Sequence, residues 1–150
     1  MGFGGASRRT DRGGADPDRV ATLLDAFPES RRADLYSGAG LAATYAGGVN
    51  RRELERFVTL AGPYRAQLAQ GAAFAAAARL RAGLVVAHNE LATEVLCGTD
   101  VATAAAATDR AREGLTDGAV PAYATWRERI AEAFTAHTGA TPARPEATGR

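Results

Sequence analysis

His88, Glu90, Glu94 and Cys97 form the densest run of side chains able to do chemistry. Imidazole, carboxylate and thiolate are metal ligands, and a cysteine–histidine pair can serve as nucleophile and base. The spacing argues against both. Glu90 and Glu94, four residues apart, share one helix face. His88 precedes that helix and Cys97 ends it, so one ion does not reach all four. No acid–base geometry accompanies Cys97 and His88. The plainer roles are electrostatic and structural. Glu90 complements the positive end of a helix, His88 bonds a backbone group, and Cys97 packs as a small apolar residue. No metal and no cofactor is expected. Gly38-Ala39-Gly40 is not a dinucleotide fingerprint, because no strand precedes it and the third glycine is absent. Tyr45, Tyr64, Gln67 and Gln70 are polar groups beside a seam of small residues. With His88, Glu90 and Glu94 they are the candidate lining of a pocket. No residue is assigned a catalytic role.

These residues must be positioned by helices. The longest expected helix is Pro63–Ala82, with Pro63 in its first turn and Gly83 as its left-handed stop. Tyr64, Leu68, Gly71, Ala75, Ala78 and Ala82 fall on one stripe, small after its start, which admits a neighbouring helix at close range. Before it, Asp16 and Pro17 open a helix to Phe27 with Val20, Leu23, Leu24 and Phe27 inward. A second helix covers Glu29–Ala46, with Leu35, Ala39, Ala42 and Ala46 as its stripe and Leu41 and Tyr45 beside it. Asn50 and Glu53 have capping-box spacing for a third, Arg51–Ala61, burying Leu54, Phe57 and Val58. After Gly83, Asn89 is expected to cap Glu90–Cys97 and Thr99 to cap Asp100–Glu113. Pro121 starts a last helix to about His137, with Tyr123, Trp126, Ile130 and Phe134 at helical steps. No segment alternates with period two over a strand length. The expectation is an all-α domain of about seven helices over 16–137. A disordered arm over 1–15 and a disordered tail over 138–150 flank it.

Composition narrows the function classes. The 150 residues suit one domain and can bury on the order of 70% of the unfolded surface. All 18 basic residues are arginine, and the net charge is +1 with acids and bases interspersed. That is no footprint for nucleic acid or an anionic membrane. A single cysteine excludes an intrachain disulfide and a four-cysteine metal site. The longest uncharged run, Leu35 to Asn50, is too short and glycine-rich to span a bilayer once Asp34 and Arg51 close it. Arg8-Arg9 lacks the apolar region of a twin-arginine signal, and Ala6 stands where myristoylation needs serine or threonine. A cytoplasmic protein is expected.

From Gly14 to Ile130 the sequence resembles the C-terminal half of domain-of-unknown-function family 1702, found in gene clusters for enediyne polyketide antibiotics. The matching words are GADPDR at Gly14–Arg19, FPESRRADLYSGAGLAATYAGG at Phe27–Gly48 and AGPYRAQLAQGAAFAAAARLRAG at Ala61–Gly83. Further along are HNELA at His88–Ala92, LCG at Leu96–Gly98, TDRA at Thr108–Ala111 and PAYATWRERI at Pro121–Ile130. Members of that family are longer, and their N-terminal half carries a segment similar to Leu35–Ala82. The resemblance therefore implies an internal duplication of which this chain keeps the second copy. It departs at Ala6–Thr10, where the family has an aromatic-rich stretch, and at Ala87-His88-Asn89, which replaces proline–histidine–threonine. The resemblance implies an accessory protein of enediyne-type polyketide biosynthesis, with a hydrophobic polyene as ligand. The alternatives are a helical interaction module without a ligand, and a truncated remnant of a longer member. A homodimer, or a partner supplying the missing half, would cover the face that the absent unit covers.

Overall fold

The computed structural model describes residues 16–116, 118 and 121–138. The expected arm over 1–15 and all of the expected tail beyond Thr138 lie outside the described residues. The described chain is all-α. Its helices are α1 (Pro17–Asp25), α2 (Glu29–Ala46), α3 (Arg51–Ala61), α4 (Arg65–Ala82), α5 (Ala87–Cys97), α6 (Val101–Arg112) and α7 (Ala122–Thr138). A single 3₁₀ turn, Gly62–Tyr64, leads into α4, so α4 begins two residues after Pro63. Among the described residues there is no strand, and no helix is long and apolar enough to cross a membrane.

α4 is the centre of the fold. It packs against α2, α5, α6 and α7. Its middle, Leu68–Ala73 and Ala75–Ala77, is therefore buried on every side. Alanine is what makes this feasible, since four neighbours close around a thin rod that loses little side-chain entropy. Larger residues from the surrounding helices fill the remaining core: Leu54, Leu96, Val101, Ile130 and Phe134. Gly83 ends α4 in the left-handed conformation, with its own N–H bonded to Leu80 and that of Leu84 to Arg79.

α2 and α4 run in the same direction. Tyr36 stacks on Tyr64 near their starts, with ring centroids 5.2 Å apart, and Arg79 lies over the Tyr45 ring near their ends. Between these points the two backbones touch. A Cβ on Gly40 would lie 2.0 Å from the Leu68 carbonyl oxygen, and one on Gly71 would lie 1.7 Å from that of Ser37. This crossing corrects the expected face of α2. The buried residues are Tyr36, Ser37, Gly40 and Thr44, while Ala42 and Ala46 are exposed and Leu35 and Ala39 half-buried. Closest approach selects the glycine side over the alanine side.

Four smaller expectations are also corrected. α1 stops at Asp25, where Arg32 donates to the Asp25 and Phe27 carbonyls, and Leu23 and Phe27 are left exposed. Asn89 sits inside the first turn of α5 rather than before it. Its amide donates to the Thr44 carbonyl (2.7 Å) while its Oδ1 accepts from the Val86 N–H (3.0 Å). It thus caps the helix from within and ties it to α2. Asp100, not Thr99, caps α6 by accepting from the Thr103 N–H at 2.7 Å. Tyr123 lies on the surface, although Ile130 and Phe134, about two and three turns later, are buried.

Candidate functional site

The run His88–Cys97 is turned to four different neighbours by the helical pitch of α5. The His88 Nε2–H donates to the Ala43 carbonyl (2.8 Å), at the electronegative end of α2. Glu90 accepts from the Val101 N–H (3.1 Å) and so helps start α6. Glu94 pairs with Arg51 of α3 at the surface. The Cys97 thiol donates to the Ala69 carbonyl of α4 (3.3 Å), and burial pushes it up to about 12. A thiol in that state is no nucleophile near neutral pH. Among the described residues no three histidine, cysteine, aspartate or glutamate side chains are grouped to hold a metal ion. This run fastens α5 to its surroundings.

The candidate pocket-lining residues are also dispersed. Tyr45 is on the outer side of α2 under Arg79, and Tyr64 is stacked on the buried Tyr36. Burial, then the hydrogen bond to Asp25, pushes the Tyr36 phenol up to about 12. Of the seven, Gln67 and Gln70 line one concavity together. It is a polar cleft of about 470 Å³ between α2, α4 and α7. Gln70 is buried and bonded through both its oxygen and its nitrogen: its Oε1 accepts from Ser37 (2.6 Å) and Arg127, and its amide donates to the Arg127 carbonyl. Arg127 also pairs with Asp34 at 2.7 Å. This network bolts α7 onto α2 and α4. The Gln67 Oε1 is buried without a hydrogen-bond partner.

Another concavity was not among the sequence expectations. It is a pocket of about 180 Å³ where α1, α2 and α3 meet. Ala39, Ala42, Ala43 and Ala46 contribute the α2 side, Pro17 and Val20 the α1 side, and Val49, Leu54 and Phe57 the remainder. Its surface is almost wholly apolar. Among the described residues the sole charged group on it is Glu53, whose Oε2 accepts the Asn50 N–H while Asn50 accepts the Glu53 N–H. That reciprocal cap fixes the start of α3 at the pocket wall. Behind Gly47, another wall residue, lies the His88 ring. α1 is tied to α3 by Arg56–Asp18 (2.8 Å), a half-exposed ion pair. The Arg56 hydrogen bond holds the Asp18 carboxyl below its usual range, but an exposed pair contributes little to stability. Three alanines of the expected α2 stripe, Ala39, Ala42 and Ala46, line this pocket, with Ala43 beside them. The spacing of that stripe indicated an inward face, and that face turns out to line a space rather than a helix.

A family model described as a protein of unknown function (DUF1702) matches residues 12–134. No curated protein and no solved structure matches the chain.

Proposed function

This chain belongs to the DUF1702 family, and from that membership we propose that it is an accessory protein of enediyne-type polyketide biosynthesis. In this reading it acts in the cytoplasm and holds part of a hydrophobic polyene intermediate. The observation that carries the binding role is the apolar pocket between α1, α2 and α3. Ligand sites are concave, mostly apolar and few per protein. The resemblance of GADPDR, FPESRRADLYSGAGLAATYAGG and the α4 segment to the family's sequences supports the biosynthetic context. The polar cleft at Gln67 and Gln70 is a weaker candidate for a hydrocarbon, since Asp34, Glu128 and Glu132 line it and Gln70, Arg127 and Asp34 already bond one another.

The test is co-expression of the chain with an enediyne-type polyketide synthase, followed by purification. A conjugated-polyene absorbance that travels with the protein, and altered polyene output when the gene is deleted from a producer, is the expected result. A colourless protein together with unchanged products on deletion would refute the role.

A second reading, a helical interaction module, is favoured by one observation. Leu41 and Tyr45 on α2 and Leu80 and Leu84 at the end of α4 are all at least 36% exposed. A second copy, or a partner supplying a similar unit, would cover them. Sedimentation across a concentration range decides between this dimer and a monomer.

A further inference from the structure

We infer that the pocket between α1, α2 and α3 is a chain-end site. It takes one uncharged hydrocarbon terminus of about six carbons and rejects a carboxylate terminus. The inference deepens the binding role above and rests on it, but the pocket can be tested without any polyene. Size is the first argument. An apolar cavity of about 150 Å³ stays dry and accepts benzene. This pocket, at about 180 Å³, accommodates one such group and not the ring-plus-chain of a larger molecule. Drug-sized ligands occupy roughly 300 Å³ or more. A longer molecule therefore enters by one end and leaves the rest outside.

Chemistry is the second argument. Apart from Glu53, the lining side chains belong to alanine, valine, leucine, proline and phenylalanine, with Gly47 contributing backbone. None of them offers a hydrogen bond to a ligand head group. The Glu53 carboxylate has its Oε2 engaged by Asn50, and among the described residues no arginine or histidine lines the pocket. A ligand carboxylate there would face a like charge in an apolar surrounding with no cation to offset it, which is strongly unfavourable. A neutral terminus meets no such penalty.

The experiment is ligand-observed magnetic resonance on the whole chain with straight-chain alcohols from propanol to decanol, and with hexanoate. Affinity should rise about fourfold per methylene, as expected for burial of apolar surface, and level off near hexanol when the pocket is full. Hexanoate should bind at least about tenfold more weakly than hexanol, because its carboxylate would be desolvated beside a like charge. Ala43→Leu should fill the space and abolish hexanol binding, with circular dichroism showing the fold retained. Val20→Ala, at a half-buried wall position, should move the plateau to longer chains. A steady rise through decanol without a plateau, hexanoate equal to hexanol, or hexanol binding unchanged in a folded Ala43→Leu would each overturn the site. Should Ala43→Leu not fold, an unmoved plateau in Val20→Ala overturns it equally. Alcohols bound as described, with no polyene recovered from co-expression, would keep the site and remove the polyene role. A bound polyene without the alcohol profile would remove this site and keep the role.

Discussion

Gly38 and Gly40 stand two residues apart in one helix, and the same change at each should have opposite effects. A Cβ on Gly38 meets nothing within 4 Å. Gly38→Ala should therefore stabilise by about 0.5–1 kcal/mol, the ordinary gain from removing a glycine inside a helix. At Gly40 the new methyl would sit 2.0 Å from the Leu68 carbonyl oxygen and 2.9 Å from its carbon. Those are backbone atoms of the central helix, so no rotamer change relieves the clash. Ordinary contact begins near 3.4 Å, so α2 and α4 must part by more than 1 Å at their crossing. A gap of 0.5–1 Å already forfeits about a quarter to a half of each contact's attraction. Overpacking typically costs about 1–3 kcal/mol, and obstruction by backbone puts this site at the top of that range. After the helix-propensity gain is subtracted, Gly40→Ala should lose about 2–2.5 kcal/mol, and Gly71→Ala at least as much. Urea denaturation followed by far-ultraviolet circular dichroism measures all three. If Gly40→Ala shows the same midpoint as Gly38→Ala, the helices do not meet at their backbones and the account of the core fails.

Asn89→Ala should cost about 2–3 kcal/mol by the same assay, because the buried Thr44 carbonyl and the Val86 N–H both lose their partner; a cost below about 0.5 kcal/mol would contradict the pairing. Cys97 should resist Ellman's reagent at pH 8 in the native protein and react at once in denaturant. Its thiol is pushed up to about 12 in the fold against 9.0 outside it. The fold thus holds that proton more tightly than the unfolded chain, so its contribution is complete below about pH 9 and declines as pH rises toward 12. Rapid native labelling at pH 8 would refute the burial. Asp100 is the opposite case: the Thr103 N–H holds its carboxyl below the usual 3.8. Its contribution is present above that value and is lost as pH falls below it, so Asp100→Asn should reduce the acid sensitivity of the denaturation midpoint between pH 4 and 2. Identical acid profiles for the two proteins would refute the cap.

Boundaries were legible where the chain is punctuated. Pro28 and Gly47 bound α2, and the Asn50–Glu53 box and Gly62 bound α3, so local chemistry alone sets those limits. Faces were less legible. With alanine on nearly every side of α2 and α4, hydropathy hardly distinguishes one stripe from another. What chose the face was how near two backbones can come, and that depends on both partners. The start of α5 was misplaced for a related reason. Asn89 has the local signature of a cap, but the Thr44 carbonyl, 45 positions earlier, draws its amide inward. Neighbours in sequence were also a poor guide to the site. His88, Glu90, Glu94 and Cys97 are close along the chain, yet they face α2, α6, α3 and α4 respectively. The apolar pocket has no polar signature at all, being a shape made jointly by three helices.

The bolt between Gln70 and Arg127 has a consequence for the order in which the chain assembles. Ser37 and Gln70 are 33 residues apart, whereas Arg127 is 57 from Gln70 and 93 from Asp34. Closing a longer loop costs more chain entropy before any contact is gained. The α2–α3–α4 segment can therefore form first, with α3 as its bridge, and offer a finished groove to α7. Until α7 arrives, the Ser37 hydroxyl already donates to the Gln70 Oε1, so that oxygen has a partner while the early unit waits. In native-state hydrogen exchange α7 should open at lower free energy than α2 and α4; equal protection across the three would refute that order.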